Sequence, residues 1–357
     1  ILPVRAHGLH LLTRLVSRVA RNHSAKCYGD ELDHALIPEI FDLFLHAIQD
    51  DESFLYLNAV QGLAQMAMSW RDAVLRPLMA MYVGGDKTQD GMSHALSYGQ
   101  ELTQRETDQR LRIGEAILQV LQHLGEAVVS ELDRIVPPLL TAVRNPLFSA
   151  TLRSSFISIL GTCVEIAPTA LAADRSSVHM VHMCTELIQA TTERRAIRQR
   201  SRVRAGVQGV GAGGEVTERS LDDEDEEEAM WEREATSGTD RDVHRPQLRR
   251  AALLLLLMLL RATQEQLDDY RESCERDLGE IDAPVSALRL PGGGVLPDVH
   301  GRAKPTLPPL LVPVDVLGSV MPVVTYMAQE EADNVVRVQA QDCIDHIRLV
   351  ELAYIGL

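Results

Sequence analysis

His179, His182 and Cys184 are the residues whose types and spacing come nearest to metal chemistry. Imidazole nitrogens and a thiolate are zinc ligands, but a closed zinc site needs four of them. On a helix, residues three apart share a face, so His179 and His182 pair while Cys184 points elsewhere. No fourth ligand follows from the spacing, and His7 and His10 have the same weakness. Gly206, Gly209, Gly211, Gly213 and Gly214 superficially resemble a phosphate loop. Such a loop links a strand to a helix, whereas these glycines sit in a linker with no strand before them. The chain contains no G-x-x-x-x-G-K-[ST], no G-x-S-x-G and no H-E-x-x-H. Carboxylates abound, yet spacing alone pairs none of them into a general acid/base dyad. The expectation is a protein that is not an enzyme, with no cofactor and no metal.

Composition points to helices. Aromatic residues make up 4% of the 357 residues, while Ala, Leu and Arg are common. Strands draw on aromatic and β-branched residues, so helices are favoured. The formal net charge of −16 disfavours direct binding of nucleic acid, which needs a basic footprint. Cys27, Cys163, Cys184, Cys274 and Cys343 are scattered, as reduced core thiols of a cytosolic or nuclear protein are. The apolar run Ala251 to Leu260 is about half the length of a bilayer span and reads as a buried helix. A start at Ile1 reads as a fragment of a longer protein.

Asp50 to Met68 reads as an acidic turn and then a helix, with Ser53 as N-cap. Asn58, Gln61 and Gln65 make one thin uncharged stripe on a helix that is otherwise apolar or small. Such a helix must be covered on most of its circumference. Neighbours of the same kind are present, and they come in pairs. The first helix of a pair carries a proline near its start, as at Pro38, Pro77, Pro137 with Pro138, and Pro322. Leu36 to Ile48 has its apolar residues at helical spacing. The second helix opens with an early arginine: Arg5, Arg153, Arg249 and Arg337. Helix, acidic turn and helix with an early arginine is the pattern of HEAT repeats, in which the arginine has a structural role toward the neighbouring turn. The expected fold is therefore all-α: a HEAT/armadillo-like α-solenoid of antiparallel helix pairs with long disordered insertions.

The expected organisation is HEAT-like repeats over 1–193, with an insertion at 84–104. A disordered basic and acidic insertion covers 194–247. The helical array continues over 248–280, with a separate helix from Gln264 to Glu280. A Pro/Gly-rich linker covers 281–310, and a helix pair closes the chain over 311–357. Within the large insertion, arginines from Arg194 to Arg204 precede the acidic run Asp222 to Glu228. They read either as a partner-binding or import-receptor segment, or as a solvated loop whose halves attract each other; such runs favour the loop.

Three runs carry a family resemblance. They are Leu2 to Leu9 (LPVRAHGL), Asp51 to Leu63 (DESFLYLNAVQGL) and Arg112 to Leu118 (RIGEAIL). In this order they resemble the C-terminal HEAT-repeat region of the RNA polymerase II assembly and nuclear-transport factors. The animal relative in that family is called transport and Golgi organisation protein 6. The final pair looks like the closing repeat of the same region. The resemblance implies a helical adaptor in the cytoplasm that shuttles to the nucleus. Its implied partners are RNA polymerase II subunits, chaperone-type assembly factors and nucleoporins. The runner-up is a membrane-trafficking or Golgi-organisation adaptor, against which the net charge argues. Because second helices line the concave side of HEAT arrays, Asn58, Gln61 and Gln65 are the expected partner-binding residues. Ordinary inter-helix hydrogen bonding is the competing use of that stripe.

Overall fold

The computed structural model describes residues 2–24, 35–84, 102–189, 246–279 and 307–355. Every regular element among them is helical. They are α1 (Leu2–Ser24), α2 (Leu36–Ile48), α3 (Ser53–Ser69), α4 (Arg71–Val83) and α5 (Gln104–Leu124). A 3-10 turn (Gly125–Glu131) leads to α6 (Leu132–Arg144), α7 (Ala150–Ile166) and the short α8 (Pro168–Ala173). Then come α9 (176–189), α10 (Pro246–Gly279), α11 (Val314–Glu330) and α12 (Asn334–Ile355). Most of the three expected insertions, Cys27, the arginine and acidic runs and the glycine cluster lie outside the described residues.

The periodicity of each helix decides what it buries. In α2, Ile37, Ile40, Phe41, Phe44 and Ile48 are buried, while Glu39, Asp42 and His46 are exposed. α3 buries residues on nearly all sides, from Leu55 through Ala59, Gly62 and Leu63 to Met66. Two rows result. α1, α3, α5, α7, α10 and α12 lie side by side in that order. Behind them α2 packs on α3, α4 on α3 and α5, α6 on α7, and α11 on α12. One apolar core runs between the rows from Val16 to Val350.

Glycines set the spacing between the rows. A Cβ on Gly62 would lie 2.3 Å from the Phe44 ring, and one on Gly114 would lie 2.6 Å from the Tyr82 ring. Thus α3 and α5 each open a gap for an aromatic ring of the helix behind. Tyr82 also stacks edge-on against Phe156 at 4.7 Å and shares a 2.7 Å hydrogen bond with Ser155 of α7.

The helix ends depart from expectation in several places. α3 is capped by Glu52 in an extended conformation, and Ser53 is already its first residue. No side chain caps its first N–H groups; the Asp50 carboxylate accepts the N–H of Glu52 itself at 3.1 Å, which ties the turn ahead of the helix. Side-chain caps occur at Thr103, in a reciprocal capping box with Glu106, and at Ser149. Pro38 lies in a first turn, but Pro77, Pro137, Pro138 and Pro322 lie inside their helices. Pro137 and Pro322 are exposed, so water can reach the carbonyls their missing N–H groups leave free. The helix expected to start at Gln264 is instead the second half of α10, which runs unbroken. No glycine or proline interrupts it, and Thr263 turns its hydroxyl back to the Leu259 carbonyl at 2.7 Å.

Candidate functional site

α3 has neighbours on three sides: α1, α5, and the second row. What remains exposed is one ribbon. Gln61 is exposed on it, and Asn58 and Gln65 are partly buried beside it. Phe54, Leu57 and Met68 share the ribbon, with Leu57 62% exposed. The stripe is therefore not amides alone, and the apolar residues around it are not all covered. Asn58 donates its amide N–H to the Phe54 carbonyl at 2.8 Å, and its own carbonyl accepts from Thr13 of α1 at 3.3 Å. The Gln65 amide nitrogen meets Nε2 of His123 on α5 at 2.9 Å, within hydrogen-bond distance. Of the three amide residues, Gln61 is the exposed one.

The same face continues along the row. α5 adds Glu115, Gln119 and Gln122, α7 adds Thr151 and Ser158, and α10 adds Leu254. At the far end, His346 of α12 repeats the amide–imidazole link of α3 and α5. Its Nδ1 meets Gln264 Oε1 at 3.2 Å, and its Nε2 accepts from Arg261 at 3.3 Å. Burial and the Arg261 guanidinium hold the His346 pKa below 6.5.

The early arginines sit at the turns. Arg5 of α1 forms an ion pair with Asp50, at the turn between α2 and α3. Arg112 of α5 grips that turn from the other side. It donates to the Asp50 carbonyl at 2.9 Å and pairs with the Asp51 carboxylate at 3.0 Å. The Glu52 N–H and Arg5 together hold the Asp50 pKa below the usual carboxylate range. Beside this turn, burial and the Glu115 carboxylate push the Tyr56 phenol well above its ordinary value. Arg153 is buried and donates through Nε to the Val143 carbonyl at 2.6 Å, near the end of α6. Arg249 is buried in an ion pair with Glu331, and Arg250 pairs with Asp333 in the same α11–α12 turn. Arg337 differs: it is exposed and donates to Asn334 in its own first turn. Sequence reading missed Arg112 and Arg250. Arg112 carried a signal, since it stands two residues before Gly114 as Arg5 stands three before Gly8.

The metal-type residues do not converge. His179 and His182 are exposed, whereas Cys184 is fully buried and its thiol is raised by burial. Cys163 and Cys343 are likewise buried, and that burial pushes their thiols up to about 12. His7 and His10 are exposed on α1. Among the described residues no group of three or more His, Cys, Asp or Glu side chains is placed to hold a metal ion. No described helix is long and apolar enough to cross a membrane, including α10 with its apolar run.

Fold and surface together define a class: an all-helical protein of side-by-side helices whose turns are pinned by arginines and whose exposed ribbon carries amides and aliphatic groups. Comparison with known families makes this specific. The family described as "Required for nuclear transport of RNA pol II C-terminus 1" matches residues 1–127. It is the family that the runs in α1, α3 and α5 resemble. No solved structure matches the chain.

Proposed function

We propose that the chain is a non-enzymatic HEAT-like α-solenoid that serves the nuclear transport of RNA polymerase II as a scaffold. It binds polymerase subunits, chaperone-type assembly factors and nucleoporins across the exposed face of its first row. It works in the cytoplasm and passes into the nucleus with its cargo. The observation that carries this reading is the family match over residues 1–127. The serial order of the first row supports the solenoid, because stacked repeats touch mainly their neighbours. The α3 ribbon supports protein binding. It sets Gln61 among Phe54, Leu57 and Met68 with no charge between them, and interface cores are depleted of charge.

Affinity capture with RNA polymerase II subunits tests the reading, with the wild-type chain beside a Leu57→Glu/Gln61→Glu variant. The wild-type chain retains polymerase subunits or assembly factors, and the double variant, folded to the same helicity, loses them. Full retention by the variant moves the contact surface away from α3. Capture of no polymerase subunit or assembly factor by the wild-type chain ends the scaffold reading.

A further inference from the structure

Among the described serines and threonines, Ser69, Thr103, Ser130 and Thr162 have a carboxylate three places on, at Asp72, Glu106, Asp133 and Glu165. Acidophilic protein kinases read that charge pattern after the residue they modify. Burial and bonding separate these positions. Thr162 is buried. Ser69 is half-buried and donates to the Ala20 carbonyl at 3.2 Å. Thr103 is tied into its capping box, so a phosphate there would meet the Glu106 carboxylate that now accepts its hydroxyl. Ser130 is exposed, and of these positions it alone has a second carboxylate directly after it, at Glu131.

Ser130 lies in the 3-10 turn (Gly125–Glu131) that joins α5 to α6. Hydrogen bonds of a 3-10 turn have poorer geometry than those of an α-helix, so such a turn opens into a kinase groove more readily. The Ser130 hydroxyl donates to the Ala127 carbonyl at 3.3 Å and lies 3.4 Å from Glu131 Oε1. On its other side Arg71, the first residue of α4, donates to it at 3.1 Å and to the Ala127 carbonyl at 3.2 Å. Both bonds of Arg71 go to uncharged oxygens, whereas the nearby Arg134 is held by Asp72 and Glu131. We propose that Ser130 is a phosphorylation site for an acidophilic serine kinase, and that Arg71 receives the phosphate. In the kinase, the Ser130 oxygen attacks the γ-phosphorus of ATP. The bond to ADP breaks, and the hydroxyl proton passes to the kinase's catalytic aspartate. The product carries about −1.5 to −2 charges. A bond from Arg71 to a neutral hydroxyl then becomes a charge-assisted one, roughly twice as strong. Glu131 is repelled toward Arg134, which already meets its Oε2 at 3.4 Å. The modification thereby clamps the start of α4 to the turn between α5 and α6.

Treatment of the full chain with a purified acidophilic kinase and ATP tests this, under conditions that modify a Ser-Glu-Leu-Asp peptide to completion. Mass mapping finds phosphate on the peptide that carries Ser130, and Ser130→Ala removes it. Amide exchange in the turn and at the start of α4 slows several-fold in the modified chain. Arg71→Gln is modified equally but shows no slowing, and Arg71→Lys, a cation without the planar fork, shows part of it. A folded chain that takes no phosphate at Ser130 while the peptide is modified overturns the proposal. Modification of Ser130 only after heat unfolding overturns it too. Phosphate at Ser130 that leaves exchange unchanged or speeds it, or whose slowing survives in Arg71→Gln, overturns the role assigned to Arg71.

Discussion

Among the described residues, Arg249 and Glu331 form a deeply buried ion pair, with their side chains 6% and 3% exposed. Removing one partner of such a pair strands the other charge in a medium that solvates it poorly. Arg249→Ala is expected to destabilise the fold by about 3–5 kcal/mol, read as a fall in the denaturation midpoint. Arg5→Ala removes a pair whose arginine is half exposed, so water takes over much of its role and the midpoint moves little. Equal losses from the two variants would show that burial is not what separates these arginines. His346 supplies a second residue-scale prediction. Both its ring nitrogens are engaged, one facing Gln264 and the other accepting from Arg261. Burial disfavours the charged ring, and protonation also breaks the second bond and sets two cations together. The folded-state pKa therefore lies below the ordinary 6.5. Folding then releases protons, so the contribution is fully present above pH 6.5 and is lost as pH falls below it. His346→Gln should flatten the decline in melting temperature on that acidic side. An unchanged decline in the variant would assign it to carboxylates such as Asp50, whose lowered pKa gives the same sign at still lower pH.

Helix pairing depends on gaps that a single methyl group closes. A Cβ at Gly114 falls 2.6 Å from the ring of Tyr82, which is fully buried and held by Ser155 and Phe156. Gly114→Ala gains about 1 kcal/mol of helix propensity but overpacks this contact, which typically costs about 1–3 kcal/mol. Net destabilisation is expected because the ring has no open side to move to. At the equivalent contact, Phe44→Leu should recover most of the loss caused by Gly62→Ala. Additivity of those two substitutions in a double-mutant cycle would show that the ring and the glycine do not interact. These contacts also mark where the sequence stops being legible. The spacing of Ile37, Ile40, Phe41, Phe44 and Ile48 is a local signal, and it delimits α2. That Phe44 fills the gap at Gly62 is a long-range fact with no local signature. Thr263 and Gln264 resemble a helix end in polarity, yet α10 passes through them because tertiary partners absorb their polar groups. Val312 donates to Thr263 Oγ1 at 3.1 Å and Leu311 to Gln264's neighbour Gln266 at 2.9 Å. In the candidate site the amides of α3 were legible from their spacing. The exposure of Leu57 and Met68 was not, because it depends on where α1 and α5 stop covering α3.

At the scale of the molecule, the serial order of the first row governs how far a disturbance travels. α12 touches α10 and α11, while α1 touches α3, and no strong contact joins the two ends among the described residues. In a quasi-one-dimensional stack, stability is close to a sum of repeat and neighbour terms, so local opening need not become global. Arg249 tests this because it ties α10 to the α11–α12 turn. Arg249→Ala should raise amide exchange chiefly in α11 and α12, with a smaller rise in α10. The core of α3, around Ala59, Leu63 and Met66, should keep its wild-type protection. Gly114→Ala should do the reverse, loosening α4 and α5 and sparing α12. If either variant raised exchange uniformly from α1 to α12, the rows would be unfolding as one cooperative unit. The turn-pinning arginines would then stabilise the whole molecule, and not merely the repeat on either side of each turn.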